Sequence, residues 1–226
     1  MPYDIRFHQG SSFLICGPSE SGKTTFVYNV IANKSLLFDD PPKYVFLFFK
    51  HKQQMYHNML QSGLLTKAFE GYSSYETIES TVMPFRDKGG SAVILDDQLG
   101  GISTDIQRIF TELCHQGNAS IFYISQNLFF ANPKYRTISL NAHYVILMKN
   151  PRDKTQIANF AKQFSGGKTK YVVESFQNAT KNPYSYLLFD FKQTTPDILR
   201  LRTNFLPNEI TLDNPITIYI EKNTII

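Results

Sequence analysis

A short glycine-containing segment near the amino terminus constrains the fold more than any other part of the sequence. An apolar run, Phe13 to Cys16, leads directly into a segment with the pattern G-x-x-x-x-G-K-[ST], and residues with helical spacing follow it. Glycines at both ends allow a tight turn and leave room for an anion beside the backbone. The pattern therefore predicts a strand, a phosphate-binding loop and a helix in succession. The segment consists of Gly17, Pro18, Ser19, Glu20, Ser21, Gly22, Lys23 and Thr24, and Thr25 opens the helix.

This loop predicts a site for ATP together with Mg²⁺. Backbone N–H groups of the loop and of the following helix would surround the β- and γ-phosphates with partial positive charge. Lys23 adds a full positive charge, and the Thr24 hydroxyl is a suitable ligand for Mg²⁺. The alternative is a chance match in a surface loop, which the strand and helix patterns on either side disfavour.

Composition limits the remaining possibilities. The chain has 226 residues, of which 42% are hydrophobic, so it is long enough for one α/β domain with a full core. The net charge of +4 is compatible with a polyanionic partner. There are two cysteines, no signal-peptide pattern and no apolar run longer than a strand. These features predict a reducing, intracellular compartment and no membrane span.

Apolar runs of strand length alternate with helical patterns along the chain, which predicts an α/β fold with a mostly parallel sheet and helices on both faces. Strands are expected at 13–16, 44–49, 92–95, 121–124, 144–148, 186–191, 199–202 and 216–220. Helices are expected at 25–32, from Thr104 to about His115, at 153–164 and at 169–179, with one or two short helices between 50 and 74. The chain divides into one domain, 1–206, and a carboxyl-terminal tail, 207–226.

A second motif carries the expected reaction chemistry. Four apolar residues, Ala92 to Leu95, end in two carboxylates, Asp96 and Asp97, as in a Walker B strand. Because parallel strands end at one edge of a sheet, Asp96 should lie beside the phosphate-binding loop and hold Mg²⁺ opposite Thr24. Asp97 is then placed to activate the attacking water. The alternative is a strand that ends in solvated acids.

Two further groups complete the predicted site. Gln126 ends the next apolar strand and could hydrogen-bond the γ-phosphate or the water, although such a residue also suits an ordinary turn. An arginine that neutralises charge in the transition state often comes from a neighbouring subunit. Arg108, Arg136 and Arg152 are the candidates, and the loop position of Arg136 favours it over a plain ion pair.

The order of these motifs resembles the FtsK–HerA group of P-loop ATPases, and more narrowly the genome-packaging ATPases of double-stranded DNA viruses. Within that group, the chain is similar to the packaging ATPases of polinton-like viruses and adintoviruses, which are related to those of virophages and poxviruses. The resemblance covers roughly residues 10 to 206. It is carried by Gly17 to Thr24, Leu95 to Asp97, His115 to Phe129, Arg136, Ser139 to Tyr144, Lys149 to Asp153, Thr194 to Asp197 and Leu199 to Asn204.

The resemblance implies a RecA-like core with an extra strand between the two Walker strands. It also implies a homo-oligomeric ring, a pentamer or hexamer, that moves duplex DNA into a preformed capsid through its vertex or portal in an infected host cell. Lys23, Asp97, Gln126 and Arg136 would be the catalytic residues. Glu20 departs from the small or neutral residue that is usual in the loop, and we expect it to point outward. Candidate contacts for DNA phosphates are Lys162, Lys168, Lys170, Arg200 and Arg202.

Two other functions stay open on the sequence alone. A nucleotide or small-molecule kinase could use the same loop, but it would want several arginines in a lid and no second acid beside Asp96. A non-catalytic nucleotide-binding subunit would result if Asp97, one methylene shorter than the glutamate many relatives use, were too short to activate water.

Overall fold

A computed structural model of the chain describes residues 4–98, 105–126, 138–152, 154–165, 167–212 and 214–221. These residues form a nine-stranded sheet with the order β3-β2-β4-β5-β1-β6-β7-β8-β9. The strands are β1 (Ser12–Cys16), β2 (Tyr44–Phe49), β3 (Lys67–Glu70), β4 (Ser91–Asp96), β5 (Ala119–Ser125), β6 (Tyr144–Met148), β7 (Tyr186–Asp190), β8 (Leu201–Thr203) and β9 (Thr217–Tyr219).

The first six strands of the chain pair in parallel, and the last three pair antiparallel at one side of the sheet. This arrangement confirms the predicted α/β class with a mostly parallel sheet. Strand β3 is a correction, because only helices were expected between 50 and 74. Its lysine and glutamate ends hide the strand pattern, and pairing with β2 alone lets it carry them at the outer side of the sheet.

Helices cover both faces of this sheet, as expected. The α-helices are α1 (Lys23–Ala32), α2 (Lys34–Leu37), α3 (Gln54–Gln61), α4 (Tyr75–Val82), and the segments Ile106–Arg108, Cys114–Gln116, Lys154–Ser165 and Thr169–Ala179. Met83–Lys88 and Asp197–Leu199 are 3₁₀-helices, and Ile109–Leu113 is π-helical. Within the described part of the chain, every helix is too short or too polar to cross a lipid bilayer.

The central strands are apolar throughout because both of their faces are buried. In β1, Leu14 belongs to the core on one face and Phe13 to the core on the other. The Phe13 ring stacks between Phe122 of β5 and Tyr144 of β6, with centroid distances of 4.3 and 4.7 Å. The three rings are register partners, so their stacking favours the observed alignment of β1 with β5 and with β6.

The strand order determines where the functional motifs meet. Strand β5 lies between β1 and β4, so one strand separates the strand before Gly17 from the strand that ends at Asp96. Cys16 is in register with Ser125, and Asp96 with Ile124, so β1, β4 and β5 end at one level. We call this side, where the parallel strands end, the carboxyl edge of the sheet, and the opposite side the amino edge. Any site built from those three strand ends must lie on the carboxyl edge.

Candidate functional site

The predicted phosphate-binding loop, residues 17–24, connects β1 to α1, so the motif lies between a strand and a helix as expected. A side chain at Gly17 would place a Cβ atom only 2.6 Å from Cβ of Met148, so no larger residue fits there without a shift. Gly22 precedes the first residue of α1 with φ of 95°, a conformation that glycine adopts without strain. The first turn of α1 then leaves its backbone N–H groups without intrahelical acceptors, which makes it a favourable position for an anion.

Lys23 is folded back onto the loop. Its Nζ donates hydrogen bonds to the carbonyl oxygens of Gly17 and Pro18, each at 2.7 Å, and the residue is 9% exposed. Burial lowers the pKa of Lys23, while the nearby Cys16 and Asp96 act in the opposite direction. The ammonium is therefore held by neutral backbone oxygens, which an anionic ligand can replace.

The loop faces an open cavity of about 1030 Å³. Ten predicted site residues line the cavity: Ser19, Glu20, Ser21, Gly22, Lys23, Thr24, Thr25, Asp96, Asp97 and Gln126. Ser21, which is 8% exposed, is one of these residues, and its Oγ has no hydrogen-bond partner among the described residues. Glu20 is exposed at the cavity with φ of 62°. A buried hydroxyl without a partner is what a site built for a polar ligand would contain.

Asp96 and Thr24 are linked by a residue that the sequence did not single out. The hydroxyl of Tyr56 on α3 donates a hydrogen bond to the Asp96 carboxylate and also interacts with the Thr24 side chain. Gln53 Nε2 donates to the same carboxylate oxygen at 3.1 Å. Burial raises the pKa of Asp96, and the hydrogen bond from Tyr56 opposes that shift. Thr24 and Asp96 thus offer hard oxygen donors on one wall, a donor set that fits Mg²⁺.

Asp97 has a different environment although it is the next residue. Its backbone has φ of 53°, and half of its side chain is exposed to the cavity and to solvent. The nearest partner is His51, which follows β2 and whose Nε2 lies 3.4 Å from Asp97 Oδ2. The acid that was expected to hold Mg²⁺ is therefore half-buried and hydrogen-bonded, and the acid that was expected to activate water is exposed.

Gln126 and the three candidate arginines have different environments. Gln126 directly follows β5, is exposed and lines the cavity, and its role toward a γ-phosphate stays a prediction. Arg136 lies outside the described residues. Arg108 is on the surface, pairs with Glu112 at 3.2 Å and lies over the ring of Tyr75. Arg152 is exposed.

The candidate DNA contacts lie away from the cavity, at the amino edge of the sheet. Arg202 requires a correction, because its side chain is 2% exposed and its Nη2 donates to Asp190 Oδ2 at 2.6 Å. A buried, paired guanidinium does not offer a surface contact to DNA. Of the other candidates, Lys168 pairs with Glu221 at 2.7 Å and Arg200 with Asp197 at 2.7 Å.

The remaining two candidates are more accessible. Lys170 is 89% exposed and approaches Glu174 only at 3.9 Å. Lys162 is exposed on the helix Lys154–Ser165.

Three residues of the site were missed by sequence reasoning: His51, Gln53 and Tyr56. His51 had a usable signal, because it follows the carboxyl end of an apolar strand, as Asp96 and Gln126 do. Tyr56 had none, since its contact with Asp96 joins residues 40 positions apart.

No protein-family model matches this chain, and no curated protein matches it either.

Proposed function

We propose that this chain is a RecA-like P-loop ATPase. The observation that carries the proposal is the convergence of Lys23, Thr24, Asp96, Asp97 and Gln126 on one cavity at the ends of β1, β4 and β5. These residue types match the needs of triphosphate hydrolysis: a cation for the phosphates, oxygen donors for Mg²⁺, a carboxylate for water and an amide for the γ-phosphate.

In the proposed reaction, a triphosphate enters the loop and takes the place of the carbonyl groups that now hold Lys23. The Lys23 ammonium and the N–H groups of α1 then stabilise negative charge on the β- and γ-phosphate oxygens. Asp97 accepts a proton from the attacking water, and Gln126 orients that water or the γ-phosphate. Thr24 and Asp96 would hold Mg²⁺, which neutralises phosphate charge when it is bound.

The finer proposal is that the ATPase translocates double-stranded viral DNA into a preformed capsid. It rests on the resemblance in motif order, and the net charge of +4 is compatible with it. The active form would be a pentameric or hexameric ring at a capsid vertex or portal in the infected cell. Each subunit would receive an arginine from its neighbour, with Arg136 preferred over Arg108 and Arg152.

Phosphate release from ATP, measured with and without duplex DNA, tests both levels of the proposal. We expect DNA to stimulate release, and we expect Asp97→Asn to lower turnover by about 10²- to 10⁴-fold while ATP still binds. Asp87→Asn is the matched control, because Asp87 is an exposed carboxylate that does not line the cavity.

Other outcomes would contradict the proposal at different levels. Turnover that DNA does not change would argue against the motor but not against the ATPase. Transfer of phosphate to a small acceptor would indicate a kinase. Binding of ATP with no turnover in the wild-type protein would indicate the non-catalytic subunit.

A further inference from the structure

The cavity continues past the phosphate-binding loop into a region that the proposed hydrolysis does not use. At that end it is lined by Phe26 and Asn29 of α1, by Tyr184 and Tyr186, and by Leu206, Asn208 and Glu209 near the carboxyl terminus. A phosphate chain held by the loop would leave this region empty. The region adjoins the loop directly, so a group attached to the phosphates could reach it.

Tyr184 is the most unusual residue of this region. Its ring and Cβ lie beside Gly22, since a Cβ built on Gly22 would be 3.4 Å from Tyr184 Cβ and from Cδ1. The residue is 69% exposed and has φ of 61°, a backbone conformation that is strained for an aromatic residue. The loop that carries it is fixed to Lys149, whose N–H donates to the Ser185 carbonyl at 2.9 Å. An exposed aromatic ring held in a strained conformation beside a ligand loop is typical of a binding position.

The floor of this region is apolar and well packed. The Phe26 ring lies 4.9 Å from the Tyr186 ring and 6.0 Å from the Phe205 ring, measured between centroids, and Tyr186 and Phe205 are 5.6 Å apart. All three residues are at most 8% exposed. Leu206 is 1% exposed beside them. A flat, apolar ligand group can therefore be covered from this side by side chains that are already ordered.

The carboxyl group of Glu209 lies beside the floor residues Tyr186 and Leu206. Oε2 of Glu209 accepts hydrogen bonds from the Tyr186 hydroxyl at 2.6 Å and from the Leu206 N–H at 3.4 Å. These bonds fix the carboxyl group at the wall of the cavity and leave Oε1 as the atom that we assign to a ligand. Asn208 is exposed next to it and also lines the cavity.

We propose that Tyr184, Asn208 and Glu209, with the floor of Phe26 and Leu206, form a base subsite for an aminopurine nucleotide. The base stacks on the Tyr184 ring, and its exocyclic amino group donates a hydrogen bond to Glu209. This proposal rests on the proposed function, because the phosphate-binding loop must hold the triphosphate for the base to reach Tyr184. An aromatic ring and a rigid apolar floor suit a base, and a carboxylate oxygen selects an amino group over a carbonyl oxygen.

The test compares the dissociation constants of ATP, GTP, ITP and inorganic triphosphate by titration calorimetry. Tyr184→Ala should weaken binding of the preferred aminopurine nucleotide by about 5- to 150-fold, the range for loss of one base-stacking contact, and should leave inorganic triphosphate unchanged. Tyr184→Phe keeps the ring and should bind as the wild type does. ITP, which lacks an exocyclic amino group, should bind at least about 10-fold more weakly than the preferred nucleotide, and Glu209→Gln should abolish that preference.

Three results would overturn the base subsite. They are equal affinity for nucleotide and inorganic triphosphate, unchanged nucleotide affinity in Tyr184→Ala, or a preference over ITP that survives Glu209→Gln. Failure of the proposed function gives a different result, because then neither ATP nor inorganic triphosphate would bind in a way that depends on Lys23. Thermal unfolding of each variant without ligand checks that a lost affinity does not reflect a lost fold.

Discussion

Lys23 at the carboxyl edge of the central sheet and a group of three cations at the amino edge are held in different ways. At the carboxyl edge, Lys23 donates to two neutral carbonyl oxygens of its own loop. At the amino edge, Arg202, Arg200 and Lys168 each pair with a carboxylate, namely Asp190, Asp197 and Glu221. A cation on carbonyl oxygens keeps its full charge for a ligand, whereas a cation on a carboxylate is already neutralised. Under the proposed function, the comparison favours the loop around Lys23 as the anion site, whereas Arg202, Arg200 and Lys168 are already paired within the protein.

The largest expected effect tests the carboxyl edge. Under the proposed function, Lys23→Ala should lower ATP turnover by about 10²- to 10³-fold, because it removes a charge that stabilises the transition state. Lys34→Ala is the matched control, since Lys34 is also partly buried and held by a backbone carbonyl, that of Pro42, but does not line the cavity. Phosphate release by both variants is the measurement. Equal losses in the two would show that the position of Lys23 at the loop does not matter.

Residues in local sequence motifs were predictable, whereas residues whose roles depend on contacts between distant segments were not. The loop, Asp96 and Asp97 were predictable because each motif is local and follows an apolar strand, and parallel strands necessarily end together. Tyr56 and Glu209 were not predictable, because their roles depend on contacts between distant segments. Arg202 was misread for the same reason. Only the fold places Asp190 on β7 two residues beyond Leu188, the register partner of Arg202, and buries the ion pair.

The second prediction tests whether the buried ion pair between Arg202 and Asp190 stabilises the fold. Arg202→Met should lower the free energy of unfolding by about 3–5 kcal/mol, because it leaves the Asp190 carboxylate buried without its counterion. Urea denaturation measures this change. Arg6→Met is the control, because Arg6 pairs with Asp4 on the surface, and it should leave the denaturation midpoint unchanged.

A double variant separates the charge from the packing. Arg202→Met combined with Asp190→Leu should recover part of the lost stability, since no unpaired charge remains. A stable Arg202→Met protein with weakened DNA binding would instead support the original assignment of Arg202 as a DNA contact.

The third prediction concerns acid stability at the amino edge. The Ser12 backbone N–H donates to Nδ1 of His143 at 3.0 Å. Burial lowers the pKa of His143 to about 4, and the neighbouring Lys192, His115 and His8 act in the same direction. Because this pKa is below the unfolded value of 6.5, the unfolded chain binds more protons between these two values. The free energy of unfolding should therefore fall as the pH is lowered from about 6.5 to about 4. We expect a loss of about 1–2 kcal/mol, since the ring is only half-buried.

Denaturation curves at several pH values measure this loss. His143→Asn keeps an acceptor near the Ser12 N–H and removes the titrating ring, so its stability should depend less on pH in this window. His57→Asn, a change at an exposed histidine of α3, should keep the wild-type dependence. If the two variants behave alike, His143 does not control acid stability.

The smallest expected effect tests whether exposed lysines at the amino edge contact DNA phosphates. Lys162 and Lys170 are exposed there, and Lys170 makes only a distant ion pair, so both could contact phosphates. Replacing both with glutamine should reduce the slope of log affinity for duplex DNA against log salt concentration by about 0.9 for each lysine that contacts a phosphate. Lys168→Gln is the control and should leave the slope nearly unchanged, because Glu221 already neutralises Lys168. If Lys168→Gln reduced the slope equally, Lys168 would contact a phosphate despite its ion pair with Glu221. Pairing with a carboxylate would then not distinguish structural lysines from DNA-binding lysines. An unchanged slope in the double variant would exclude Lys162 and Lys170 as phosphate contacts.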